Sequence, residues 1–347
     1  MPTQILNYFG THKADMNRLL KSMVAIESPS HDPDSQSGIL EILENEFRQL
    51  GYHVVLVPGK KKGGYLYARP ENRIKNKPLQ LLIGHCDTVW KKNTLQDMPI
   101  TCKEGRMSGP GVYDMKAGLT QIIYALKAIR DQELEVTLTP VVLINSDEEI
   151  GSIESTRMIK RLAKIAERAF VLEPPLGLGG KLKTARKGIG RFTITVQGVA
   201  AHAGLDPGKG VNAIVELSHQ IQQLYAMNDF ESGITVNVGM IQGGVSANVV
   251  APESKAIIDV RVESEYDGDI ITEKIYSLKP FLPDVELHIE GGIGRPPLER
   301  TGRNQKLWKL AKAKAVLLGM ELKEGLAGGG SDGNTTSVFT ATLDGLG

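Results

Sequence analysis

Three short apolar runs, Leu79 to Ile83, Thr137 to Ile144 and Ala169 to Leu172, constrain this chain more than any other feature. Each is rich in strand-forming residues, and helix-periodic segments separate them, from Ala117 to Arg130 and from about Ser155 to Ala166. Strands alternating with helices imply an α/β domain, a mostly parallel sheet with helices on both faces. Ligands of such sheets gather at the carboxyl ends of the strands. The three runs lead respectively into His85, the cluster Asp147-Glu148-Glu149, and Glu173. The pattern therefore predicts a sheet whose strand ends converge on an imidazole and several carboxylates.

Residues 14–27 and 38–51 add two amphipathic helices. In the second, Ile39, Leu40, Ile42, Leu43, Phe47 and Leu50 recur at helical spacing and Gly51 stands where a C-cap glycine is expected. Strands are expected at Tyr52 to Val57 and Gly64 to Ala68. Near residue 187 the texture changes. Strand-like alternation over Gly190 to Val196, Thr235 to Ile241, Ala256 to Val262 and Val285 to Ile289, with helices at Val211 to Tyr225 and around 268–278, reads as an inserted α+β domain. The expected domains are 1–186 with 297–347, and the insert 187–296. A helix from Asn304 to Leu318 and a strand from Ser337 to Thr342, with GGGSDGN (328–334) before it, complete the first.

Composition excludes several classes. With 41 basic and 40 acidic residues the net charge is +1, which gives no reason to expect nucleic acid or an anionic membrane as partner. Lys60, Lys61 and Lys62 read as a solvated loop. Two cysteines exclude a disulfide framework. The N-terminus lacks a secretion signal, and no window reaches the roughly twenty apolar residues a membrane span needs, so a cytoplasmic location is expected. No G-x-G-x-x-G with a suitably placed acidic residue follows a strand, which argues against a nucleotide-binding domain.

Taken singly, the polar segments have plain structural readings. GHCDTV (His85, Asp87) reads as a satisfied histidine beside a turn, and NSDEEIGS (Glu148, Glu149) as a solvated strand end or a helix start favoured by its dipole. Asp114 in GPGVYDMKAG reads as a cap of the helix from 117, Glu173 before Pro174 as a loop residue, and Cys86 as a small buried filler. Together, each at an element boundary, they supply one imidazole and several carboxylates, a donor set suited to two close divalent metals.

In this order, with AAHAG (His202) following, the segments resemble the M20 family of zinc peptidases and deacylases over nearly all of the chain. The resemblance implies a zinc-exopeptidase-like catalytic domain with an inserted lid and dimerisation domain, two Zn²⁺ per subunit and a homodimer. It implies His85, Asp114, Glu149 and Glu173 as metal ligands, with Asp114 bridging. Glu148 would be the general base toward a metal-bound water, and Asp87 would hold the His85 ring in the right tautomer. His202 would stabilise the oxyanion in the partner subunit's site. Asn248 (SANVVAP), Arg261 (DVRV) and Gly329 stand where relatives contact substrate. An arginine fork suits a carboxylate, although Arg261 also reads as a surface ion pair and the glycines as a flexible turn.

Within the family, GPGVYDMKAG, Glu173 and GGGSDGN are most similar to the glutamate carboxypeptidase branch. That branch implies release of a C-terminal amino acid, glutamate, from a small peptide or N-acyl amino acid. Deacylases of the acetylornithine or succinyl-diaminopimelate type share the ligands and stay open as an alternative. The family usually carries one more metal-binding histidine shortly after DGLG. This sequence stops at Asp344-Gly345-Leu346-Gly347 with no histidine after His288. The expectation is a truncated chain with a weakened second metal position, and a non-catalytic binding relative is the rival reading.

Overall fold

The computed structural model describes residues 2–347 and divides into two units. One runs to Thr184 and resumes at Arg300–Ala327 and Ser331–Gly347, and the other comprises Ala185–Glu299 with Gly328–Gly330. The strands are β1 (Tyr52–Val57), β2 (Tyr65–Pro70), β3 (Leu79–His85), β4 (Thr101–Lys103), β5 (Arg106–Ser108), β6 (Thr139–Asn145) and β7 (Ala166–Val171). They continue as β8 (Leu182–Arg186), β9 (Gly188–Gln197), β10 (Thr235–Gly243), β11 (Glu253–Val262), β12 (Glu286–Arg295), β13 (Glu324–Ala327) and β14 (Ala341–Asp344).

Among the described residues the first unit holds an eight-stranded sheet, ordered β1-β2-β6-β3-β7-β14-β8-β13. Its centre is parallel: β3 pairs with both β6 and β7, and β14 pairs with β7. The crossovers are the helices Ala117–Asp131, between β3 and β6, and Thr156–Ala163, between β6 and β7. Because β3 lies between β6 and β7, the chain leaves it on one side and returns on the other, which opens a crevice at the strand ends.

Side-chain alternation explains why these strands read as continuous apolar runs. Leu82, Val142 and Ile144 pack on one face with Leu119, Ile122 and Ile123 of the first crossover helix. Leu79, Leu81, Ile83, Val141 and Leu143 pack on the other with Ile159 and Leu162 of the second. A strand covered on both faces needs apolar residues at every position. Gly118 lets the first helix approach, since a Cβ there would lie 1.9 Å from the carbonyl oxygen of Leu172.

The second unit is a four-stranded antiparallel sheet, β10-β11-β9-β12. One face is buried: Phe192, Ile194 and Val196 of β9 and Ala256, Ile258, Val260 and Val262 of β11 pack with Leu217, Leu224, Ile271 and Ile275 of the helices Ala213–Ala226 and Glu265–Tyr276. Each large side chain buried this way stabilises the unit by about 1.5–3 kcal/mol.

One expectation needs correction. The strand expected at Ser337 to Thr342 is instead a helix, Asp332–Ser337, followed by β14 at Ala341–Asp344. Ser331 caps that helix: its hydroxyl accepts from Gly333 N while the Asn334 side chain accepts from Ser331 N. The start of the chain, read only as lacking a signal, forms a helix at Pro2–Thr11. Among the described residues no helix is long and apolar enough to cross a membrane.

Candidate metal centre

The carboxyl ends of the central parallel strands deliver the site. His85 is the last residue of β3, Glu148 and Glu149 lie three and four residues beyond the end of β6, and Glu173 lies two beyond β7. Asp114 comes from the turn Val112–Lys116 that leads into the first crossover helix. These groups converge. One atom each from His85, Glu148 and Glu173 lie within 4.8 Å of one another, and the same holds for His85, Asp114 and Glu149.

The His85 ring is buried and its two nitrogens have different partners. Nδ1 is 3.0 Å from the backbone carbonyl of Asp87. A carbonyl can only accept, so Nδ1 carries the proton. With the ring charged, Nε2 donates toward Asp114 Oδ1 at 3.2 Å and Glu173 Oε1 at 3.4 Å, and a cation displacing that proton would take the Nε2 lone pair. The Asp87 carboxylate stands 3.4 Å from Nδ1, further away than its own carbonyl. Asp87 therefore orients the ring partly through its main chain.

The Asp87 side chain also holds the acidic turn. Oδ1 accepts from Glu148 N and Oδ2 from Glu149 N, each at 3.2 Å, and Ser30 Oγ donates to Oδ2 at 2.6 Å. The His85 ring, the Ser30 hydroxyl and the Glu149 N–H together outweigh burial and keep its pKa below the usual carboxylate range. Behind this turn, Asp147 accepts from Glu154 N at 2.7 Å and Ser155 Oγ at 2.6 Å. Asp332 accepts from Asn145 Nδ2 at 2.8 Å and Ser152 Oγ at 2.5 Å. Gly151 closes the turn at φ +98°, where a side chain would be strained. Ser30, Asn145, Ser152 and Asp332 escape sequence reasoning because serines and asparagines near turns are common. The paired spacing of Asp147 to Ser155 and of SDGN to its capped helix is the only signal they leave.

Electrostatics show a site short of positive charge. Burial alone would depress the His85 pKa, but Asp114, Asp87 and Glu173 raise it well above its ordinary value. Burial pushes the Glu149 carboxyl up to about 7, with Asp114, Asp87 and Glu173 adding to it and His85 opposing. A lysine ammonium, on Lys183, is 3.8 Å from Glu173 Oε2. An imidazole nitrogen facing several carboxylates is the donor set that fits a divalent cation. Cys86, between His85 and Asp87, is fully buried, and burial raises its thiol to about 12, so it stays neutral as a core residue.

The remaining expected residues lie in the second unit. His202 is exposed, and its Nδ1 accepts from Gly204 N at 3.1 Å and Leu205 N at 3.2 Å. Its proton is thus on Nε2, available to a further acceptor. The HAG and SANVV segments are zipped together by Ala203 N to Asn248 O at 2.9 Å and Val250 N to Ala201 O at 2.9 Å. The Asn248 side chain accepts from Ser246 Oγ at 2.7 Å. The Arg261 fork is engaged by both oxygens of Asp259, at 2.7 and 3.0 Å. The carbonyl of Gly329 accepts from Arg186 at 3.0 Å.

Residues 184–278 match the M20 peptidase dimerisation domain. Carboxypeptidase G2 of Pseudomonas sp. (strain RS-16) is 28% identical over 327 residues, covering 91% of this chain and 77% of that protein. The chain belongs to the M20 peptidase family. Another M20-related sequence, succinyl-diaminopimelate desuccinylase of Dechloromonas aromatica, is 25% identical over 333 residues, covering 91% of this chain and 85% of its own. The aminopeptidase PepT structure from Bacillus cereus superimposes with a TM-score of 0.79 at 20% identity, covering 95% of this chain and 88% of that one, which shows a shared fold. The chain is accordingly a metallopeptidase or amidohydrolase of the M20 type.

Proposed function

We propose that this protein hydrolyses the amide bond of a small peptide or N-acyl amino acid, releasing a C-terminal amino acid, glutamate, in a metal-dependent reaction. The observation that carries the proposal is that His85 is shared by two converging groups of donors, one with Glu148 and Glu173 and one with Asp114 and Glu149. His85 Nε2 and the three carboxylates would hold Zn²⁺, two ions when the family site is complete. Bound there, zinc would supply Lewis-acid polarisation of a carbonyl and would lower the pKa of water.

The chain's own residues do the rest. Glu148, fixed through its backbone N–H by Asp87, takes a proton from the attacking water and passes it to the leaving nitrogen. His202, with its proton on Nε2, donates to the developing oxyanion in the partner subunit's site. Arg261 and Asn248, with the Gly329 segment, hold the carboxylate of the released amino acid. Arg261 must then exchange Asp259 for substrate. A homodimer through the second unit fits its surface. Edge strand β10 exposes Met240 and Ile241, and the helix Ala213–Ala226 exposes Ile214 and Val215.

A panel of N-acyl amino acids with analysis of the free amino acid tests the proposal. Release of glutamate supports it. Release of ornithine or diaminopimelate alone moves the protein to the deacylase reading that the desuccinylase similarity keeps open. No release from any amide by metal-loaded protein would favour a binding role.

A further inference from the structure

The turn that carries Asp114 is tied to the end of β3 by a sulfur atom. The pairing of β3 with β7 ends at Ile83, opposite Val171, where Leu172 N donates to Ile83 O at 3.1 Å. The next N–H on that side belongs to His85, and it donates instead to Met115 Sδ at 3.2 Å. Both residues are buried. A thioether is a weak acceptor, but a main-chain N–H buried without one costs free energy.

The chain makes room for this contact. A Cβ on Gly84 would lie 2.5 Å from the Met115 methyl carbon, and one on Gly118 would lie 3.0 Å from it. Glycine at both positions lets the thioether reach the end of β3. The turn is fastened on its other side as well. Lys116 N donates to Gly111 O at 3.0 Å, and the buried Lys116 ammonium donates to Ile26 O at 2.8 Å. Two residues beyond Ile26, Ser28 Oγ donates to the carbonyl of Cys86, which follows His85, at 2.7 Å.

We infer that Met115 is a positioning residue for the metal centre: by accepting the His85 N–H, its sulfur fixes where the Asp114 carboxylate stands relative to the His85 ring. Met115 is covalently joined to Asp114, so one hydrogen bond links the two elements that supply neighbouring donors of one group. The Asp114 side chain is half-exposed and meets His85 Nε2 at 3.2 Å. Packing orients such a carboxylate little, so its place depends on the main chain beneath it. An apolar residue of the same size would fill the space but leave the His85 N–H without an acceptor.

The inference rests on the metal-centre reading of His85 and Asp114, and its tests are binding and hydrogen exchange rather than turnover. Met115→Leu keeps the volume and removes the sulfur, and Met115→Gln returns an acceptor at similar reach. In metal-free wild type the His85 amide should exchange as slowly as that of Ile83. In Met115→Leu it should exchange about tenfold faster or more, with Ile83 unaltered. Competition with a chelator should show zinc held about tenfold more weakly in that variant, and Met115→Gln should restore part of both losses. Zinc affinity unchanged in Met115→Leu would overturn the inference, as would a His85 amide that exchanges freely in wild type. So would a role in packing alone, seen as Ile83 and Leu119 exchanging faster together with no rescue by glutamine. If the leucine variant does not fold, the wild-type exchange and the glutamine variant decide the matter. Wild-type zinc binding no tighter than in His85→Ala would overturn the metal-centre reading and this inference with it, whereas full affinity in Met115→Leu overturns the inference alone.

Discussion

The two units use their sheets in opposite ways. In the first, parallel strands covered on both faces leave only their carboxyl ends for polar work, and His85, Glu148, Glu149 and Glu173 crowd there. In the second, an antiparallel sheet buries one face, and its candidate groups are exposed or half-exposed, as with His202, Asn248 and Arg261. The first arrangement builds a fixed site. Ionisable groups are desolvated, their pKa values are displaced, and Asp87 clamps the turn that carries the proposed base. The second presents groups that, on the proposed function, would exchange present partners for substrate, as Arg261 would exchange Asp259. Substitutions in the first unit should therefore affect metal and chemistry, and those in the second should affect substrate capture and oxyanion stabilisation.

The largest effect is expected from Glu148→Gln. It should lower kcat by roughly 10²–10⁴-fold, the usual contribution of a general base, while elemental analysis shows the metal retained. His202→Ala should lower kcat by roughly 10²–10³-fold with metal content unaltered, the range for losing one oxyanion donor. A His202→Ala protein that loses zinc would contradict the division between the units. Asp87→Asn should weaken zinc about 10–100-fold, because an amide cannot accept from Glu148 N, Glu149 N and Ser30 Oγ together. Competition with a chelator of known affinity measures it.

Arg261→Ala separates two readings of one contact. If Arg261 binds the substrate carboxylate, KM should rise about tenfold or more, as for a hydrogen bond to a charged group, with little change in Tm. If it serves only its ion pair with Asp259, KM stays put and stability changes by about 0–1 kcal/mol.

The smallest effect is the pH dependence set by Glu149. Its folded pKa of about 7 lies above the ordinary 4.5. A raised folded pKa contributes stability that is fully present below the unfolded value and is lost as pH rises through the folded one. The metal-free protein should therefore lose this contribution between pH 4.5 and about 7. Bound metal removes the penalty, so the gain in Tm on adding zinc should be greater at pH 8 than at pH 5.5. Glu149→Gln should flatten the difference, as differential scanning calorimetry can show.

The sequence made the first unit more legible than its supports. β3 and β6 are readable because strands buried on both faces are apolar almost throughout, and β7 from its apolar end Ala169 to Leu172 although Glu167 is exposed; their ends count to His85, Glu148 and Glu173. The inserted unit was legible from two-residue alternation in β9 and β11. The helix Asp332–Ser337 was missed because S-D-G-N reads as a turn. Only the reciprocal Ser331–Asn334 cap and burial of the whole segment make it helical. Asp332 was invisible as a support, since its partners Asn145 and Ser152 lie some 180 residues earlier in the chain. Contacts at such separation leave no local periodicity to read. That the Asp87 carbonyl lies closer to the His85 ring than its carboxylate is likewise a matter of main-chain geometry.

The most direct test of the account is calorimetric titration of metal-stripped protein with Zn²⁺ at pH 6.5, repeated in buffers of different ionisation enthalpy, on wild type and on His85→Ala and Glu149→Gln. The account predicts saturable binding in wild type with net proton release, because the raised His85 and Glu149 pKa values leave protons for the metal to displace. It predicts much weaker binding in His85→Ala and less proton release in Glu149→Gln. Wild-type affinity and proton release in both variants would place the metal elsewhere and contradict the proposed centre.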